Sequence, residues 1–194
     1  MDKKEEVVND KSDKIINLIL FFFIISFLGW CMEILWCFII DGVIANRGTL
    51  NGPWVPIYGY GCTFVMILLY DRKIMKKSKI ATFFIAMISF TVIEYITSCY
   101  LEQMYDLRWW DYSGYKFNFK GRICLEMSLL FGIGGMICLY VIAPKVEKWL
   151  LKFPKKYRKR LAIILLCIFI ADNIYCVFSP HVGDQLVIDM NNIK

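Results

Sequence analysis

The sequence predicts an all-α, polytopic helical membrane protein with about five transmembrane helices, a cytoplasmic N-terminus and a broken or re-entrant start to the second span. Three observations lead there. The 194 residues are 58% hydrophobic and 16% aromatic, with a mean hydropathy of +0.52, against roughly 45–50% apolar residues in soluble domains. The apolar residues gather in runs near the ~20 residues that cross a hydrocarbon core about 30 Å thick. Lys and Arg gather in two of the four intervening loops, as they do in loops held on the cytoplasmic side.

Residues 1–14, MDKKEEVVNDKSDK, carry charges of both signs. No small-x-small cleavage site follows the first apolar run, so 1–14 reads as a cytoplasmic segment and 15–40 as a retained first span. The further spans are 54–70, the shortest, then 80–100, 123–143 and 161–179. Residues 15–179 thus form a single helical membrane domain, followed by a short extracytoplasmic tail at 180–194. Arg72, Lys73, Lys76, Lys77 and Lys79 separate spans two and three, and eight Lys and Arg between Lys145 and Arg160 separate spans four and five. Those loops are expected inside, which sets the N-terminus in and the C-terminus out. The formal net charge of +6 then reflects topology, and no nucleic-acid partner is expected.

The eight cysteines all fall in predicted spans without a C-x-x-C pair, which fits small buried hydrophobes. With a single histidine, His181, neither a metal site nor a cofactor is expected. Five spans without an internal repeat make a small unit, so a homo-oligomer or a larger complex is expected. Ser128, Gly132 and Gly135 in span four form a small-residue stripe suited to close helix packing, within or between chains. Residues 145–160 interleave Trp149, Leu150, Leu151 and Phe153 with basic residues. That pattern suits a short helix on membrane lipids at the inner headgroups, or a docking element for a cytoplasmic partner.

Four carboxylates lie inside the apolar runs: Glu33, Glu94, Glu126 and Asp172. An ionised side chain at membrane depth costs about 2.5–3.5 kcal/mol on insertion scales, so each needs a partner, a proton or water. The predicted topology puts all four in the outer part of the membrane, which favours an outward cavity. Thr91, Glu94, Ser98 and Glu102 recur at three- and four-residue spacing and share one face of span three. Arg122 precedes Glu126 by four residues, the spacing of a local ion pair on a helix. Gly29 leaves room one turn before Glu33.

Two loops complete the candidate site. In residues 46–61, NRGTLNGPWVPIYGYG, the glycines Gly48, Gly52, Gly59 and Gly61 relax the backbone. Pro53 and Pro56 turn the preceding residues away from helix. Span two should start broken, with backbone groups of Asn46, Arg47, Asn51, Gly52, Tyr58 and Gly59 free to face a ligand. The alternative is an ordinary turn with Trp54, Tyr58 and Tyr60 as interfacial anchors. Between spans three and four, LRWWDYSGYKFNFKGR reads as an aromatic belt in which Trp110, Asp111, Tyr112, Ser113 and Asn118 could serve as a lid.

GWCMEILW around Glu33, the 46–61 segment, Glu94-Tyr95, LRWWDYS and FNFKGRICLEMSLLFG around Glu126 together resemble a family of ABC-transporter type IV membrane proteins found largely in Gram-positive bacteria. The likeness covers about 29–144. It implies a permease-like subunit in the bacterial plasma membrane. No G-x-x-x-x-G-K-[ST] is present, so the ATPase such a permease needs would be a separate subunit.

Three functions fit these residues. The first is a transport subunit whose acidic cavity admits a cation or small polar solute, with Glu33 and Glu94 as ligands or proton carriers. The second is an intramembrane enzyme acting on a lipid or lipid-linked substrate, with a carboxylate pair as acid and base and Arg47 or Arg122 on a phosphate. The third is a membrane scaffold.

Overall fold

The computed structural model describes residues 3–44, 48, 50–70, 78–106, 108–179 and 188–189. The architecture is all-helical. Helix α1 runs Lys3–Asp41, α2 Pro56–Leu69, α3 Lys79–Tyr105, α4 Leu125–Leu150 and α5 Lys155–Phe178. Two minimal antiparallel ladders complete it: β1 (Val43–Ile44) with β4 (Ile188–Asp189), and β2 (Asn118–Phe119) with β3 (Ile123–Cys124). Among the described residues, four helices are long and apolar enough to cross a membrane.

The expected second span is the exception. Helix α2 has 14 residues, about 21 Å of helix against a core of about 30 Å. Pro56 supplies its first residue, where the missing N–H costs nothing, and the chain before it stays non-helical. Helix α1 has 39 residues and begins within the segment read as cytoplasmic. It stops at Gly42, whose φ of 70° closes the helix through its N–H to the Phe38 carbonyl.

Helix α3 shows the inside-out pattern of a membrane helix. Ile80, Phe84, Ile88, Val92, Ile96, Tyr100 and Met104 recur every fourth residue and are exposed, whereas Thr82, Ala86, Glu94, Ser98 and Leu101 are buried. Ser78 caps its start by accepting from the Ala81 N–H at 3.1 Å, and Asp106 ends it in the left-handed region. Midway along α4 the winding loosens to a π-turn at Cys138–Ile142, with the Ala143 N–H bonded to the Cys138 carbonyl. Pro144 accounts for it, because its ring has no N–H for the Tyr140 carbonyl and clashes with a regular turn there.

The chain divides into two units, 1–59 with 149–194 and 60–148, the boundaries falling within α2 and near the end of α4. In the first, α1 and α5 run parallel, with Phe23 edge-on to Phe169 at 5.7 Å and Arg158 bonded to Asn17 and Asp13. Phe23, Leu50, Trp54, Phe169 and Cys176 form its buried cluster. The basic segment 145–160 is not a separate interfacial helix. It comprises the end of α4, a turn over 151–154 and the start of α5, and its Arg158 is buried with a carboxylate from α1.

In the second unit, α3 and α4 pack antiparallel. The stripe expected from Ser128, Gly132 and Gly135 serves this contact within the chain. A Cβ at Gly132 would strike the Phe83 ring, and one at Gly135 would strike Ala86. Val65, Leu69, Ala86 and Leu139 form the core here.

Candidate functional site

The first unit holds a backbone segment folded back along α1. The Val55 N–H donates to the Ser26 carbonyl at 3.0 Å, and Trp54 packs edge-on to Phe23 at 6.0 Å. Ser26 lies 15 residues before the end of α1, about 22 Å along its axis. Non-helical backbone has therefore returned to the middle of the first span, where every polar group needs an internal partner. Asp172 on α5 supplies it. Its Oδ1 accepts from the Asn51 N–H at 3.2 Å, and its Oδ2 accepts from the Gly52 N–H at 3.0 Å and the Trp54 indole at 2.9 Å. The Asn51 amide also reaches Oδ1 and the Cys176 sulfur. Trp54 is thus a buried strut and not the interfacial anchor that its position after Pro53 allowed.

Glu33 is also met from this segment. The Tyr58 hydroxyl donates to its Oε1 at 2.5 Å. The ring can lie there because Gly29 has no side chain, since a Cβ would collide with it. Gly59 is buried against Ser26 and Phe22 for the same reason. Pro53 is exposed in the bend, and Gly61 is buried in the second unit against the Phe90 ring. Asn46 and Arg47 lie outside the described residues, as do Arg72, Lys73, Lys76, Lys77 and His181.

In the second unit the site is a column along α3. Glu94, Ser98 and Glu102 stand one turn apart, and the segment 108–124 supplies a partner to each. The Tyr112 hydroxyl donates to Glu94 Oε1 at 2.9 Å. Arg122 donates to the Ser98 hydroxyl at 3.2 Å and pairs with Glu102, which also accepts from Arg108 at 2.9 Å. Glu94 is 4% exposed, and its second oxygen, Oε2, is buried without a hydrogen-bond partner among the described residues.

The expected local pair of Arg122 with Glu126 does not form. Residues 118–124 make a hairpin turning through Lys120 and Gly121, both at positive φ, and α4 starts only at Leu125. Arg122 is therefore off the helix and points to α3, while Glu126 is exposed in the first turn of α4. A carboxylate at that end suits the helix dipole.

The remaining lid residues build the loop itself. Asp111 accepts from the Ser113 N–H and hydroxyl, at 2.9 and 2.6 Å, and these bonds hold its carboxyl below the ordinary carboxylate range. The Asn118 side chain donates to the Tyr115 carbonyl at 2.7 Å and accepts from the Gly121 N–H at 3.0 Å, while the Trp110 indole donates to the Arg122 carbonyl. Burial and the adjoining Glu94 carboxylate push the Tyr112 phenol well above its ordinary range. Sequence reasoning missed Arg108 as a partner of Glu102 and Trp54 as a partner of Asp172, because neither pair has helical spacing. Their only signals were an arginine beside the aromatic loop and a tryptophan between two prolines.

A family model described as "Putative ABC-transporter type IV" matches residues 20–177. The chain belongs to this family. The match takes in the folded-back segment with Asp172, the α3 column and its loop, so both carboxylate centres lie inside the family region. No curated protein and no solved structure matches the chain.

Proposed function

We propose that the protein is the permease-like membrane subunit of an ABC-type transport system, working with a separate ATPase subunit in the bacterial plasma membrane. The distribution of basic residues supports a cytoplasmic N-terminus, an extracytoplasmic C-terminus and a loop 108–124 that faces the exterior. In that orientation Glu94 is reached from outside along Ser98 and Glu102. The solute is a cation or a small molecule with hydrogen-bond donors, and Glu94 is its principal ligand.

One observation carries this reading: a buried carboxylate with a vacant acceptor oxygen, on a helix long enough to cross the bilayer. Burying an unsatisfied polar group costs about 1–3 kcal/mol, more when charged, and such a group persists where it has work to do. Membrane family membership and the absence of a phosphate-binding loop in this chain support the division of labour with an ATPase.

Affinity purification of the tagged protein from its native membrane, in mild detergent with lipid retained, tests the assignment. An ATP-hydrolysing subunit should accompany it, and ATP hydrolysis by the reconstituted complex should fall at least tenfold with Glu94→Gln. Purification with no nucleotide-binding partner would overturn the assignment.

A further inference from the structure

Glu94 Oε2 is buried with no hydrogen-bond partner among the described residues, and its surroundings restrict what can bind there. The groups facing it from the packed elements are the Tyr112 hydroxyl, from the loop, and the Cys124 thiol at the start of α4. On its own helix, Ser98 and Glu102 follow outward, and Arg122 binds both. Arg122 and Arg108 are each paired with Glu102, so no described Lys or Arg neutralises Glu94.

A metal ion fits poorly. Calcium takes about six to eight oxygens, whereas Glu94 offers one open oxygen, and no group of three metal-ligating side chains occurs among the described residues. A proton needs only the one. Tyr112 cannot be its carrier, because burial and the neighbouring carboxylate raise its phenol and keep it protonated. It is a fixed donor to Oε1, which leaves Oε2 as the titrating atom.

We propose that Glu94 is a reversible proton-binding site, with Tyr112 as its fixed hydrogen-bond donor and the Ser98–Glu102–Arg122 column as its polar approach from the loop side. Loading transfers a proton from hydronium to Oε2 and releases water; unloading reverses this. Glu102, whose side chain is 31% exposed, is the end of the column in contact with solvent. This deepens the transport reading and rests on it for the use of the proton, not for its binding.

Infrared titration of the purified protein in lipid nanodiscs separates the two. A protonated-carboxyl band that rises as pH falls should be missing in Glu94→Gln. In Tyr112→Phe, loss of the hydroxyl donor should keep the band to a pH about one unit higher, a tenfold gain in proton affinity. An unchanged band in Glu94→Gln overturns the proposal, and if that variant does not fold, an unshifted titration in Tyr112→Phe overturns it. A Glu94 band in a protein that recruits no ATPase leaves the proton site standing and removes transport. ATPase-coupled activity without any Glu94 band does the reverse.

Discussion

Asp172 and Glu94 are both carboxylates on membrane-length helices, yet the protein surrounds them in opposite ways. Asp172 meets two backbone amides, an indole and a side-chain amide, with donors on both oxygens. Glu94 meets one phenol, and its second oxygen has no partner among the described residues. The first arrangement resolves a structural problem, the presence of unpaired amides beside the middle of α1. The second creates one and leaves it open. The proposed roles follow from this difference, since an acceptor saturated with hydrogen bonds has nothing left to offer a ligand.

The contrast can be broken by mutation. Asp172→Ala should have the largest effect: the Asn51 side-chain amide keeps the Cys176 sulfur, but the Asn51 and Gly52 N–H groups and the Trp54 indole are left unanswered at roughly 1–3 kcal/mol each, partly relieved by water, for a loss of about 3–5 kcal/mol. Thermal unfolding in detergent followed by circular dichroism would read it, and Asp172→Asn, which keeps one carbonyl acceptor, should recover about half. An Asp172→Ala protein as stable as the parent would mean that the segment is held by packing alone.

Tyr112→Phe removes one donor and should cost about 1 kcal/mol in the same assay, so its main consequence is chemical. Glu94→Gln should change stability by no more than about 1 kcal/mol, because the amide carbonyl still accepts from Tyr112 and the unpartnered NH2 that replaces Oε2 is a buried polar group without charge. A loss as large as that of Asp172→Ala would place Glu94 among the braces. Ser113→Ala should have the smallest effect. Asp111 titrates below its unfolded value, so its contribution is present above that value and lost as pH falls through the folded one. Removing the Ser113 hydroxyl, the larger of its two bonds, should move the acid-side change in Trp109 and Trp110 fluorescence to higher pH.

Local patterns made much of this legible. Glu94, Ser98 and Glu102 share a face because four-residue spacing on a helix puts them there, and Pro53 and Pro56 announced that the second span would begin broken. The short length of α2 followed from the same prolines, since Pro56–Leu69 falls within the expected 54–70, the shortest of the five runs. The partners were the least legible. Arg122 lies four residues before Glu126, but a hairpin turn at Lys120–Gly121 sends it to Glu102. Arg158 lies among solvent-facing lysines, but the parallel packing of α5 on α1 buries it beside Asp13 and Asn17.

By itself, the sequence determined that this chain is a helical membrane protein with four acids in its apolar runs, because hydrocarbon length and the cost of buried charge act on each segment independently. Only the tertiary structure decided which acid is saturated and which is left open. A hydrogen bond depends on distances between segments, here the 118 residues from Trp54 to Asp172, and local pattern carries no record of them.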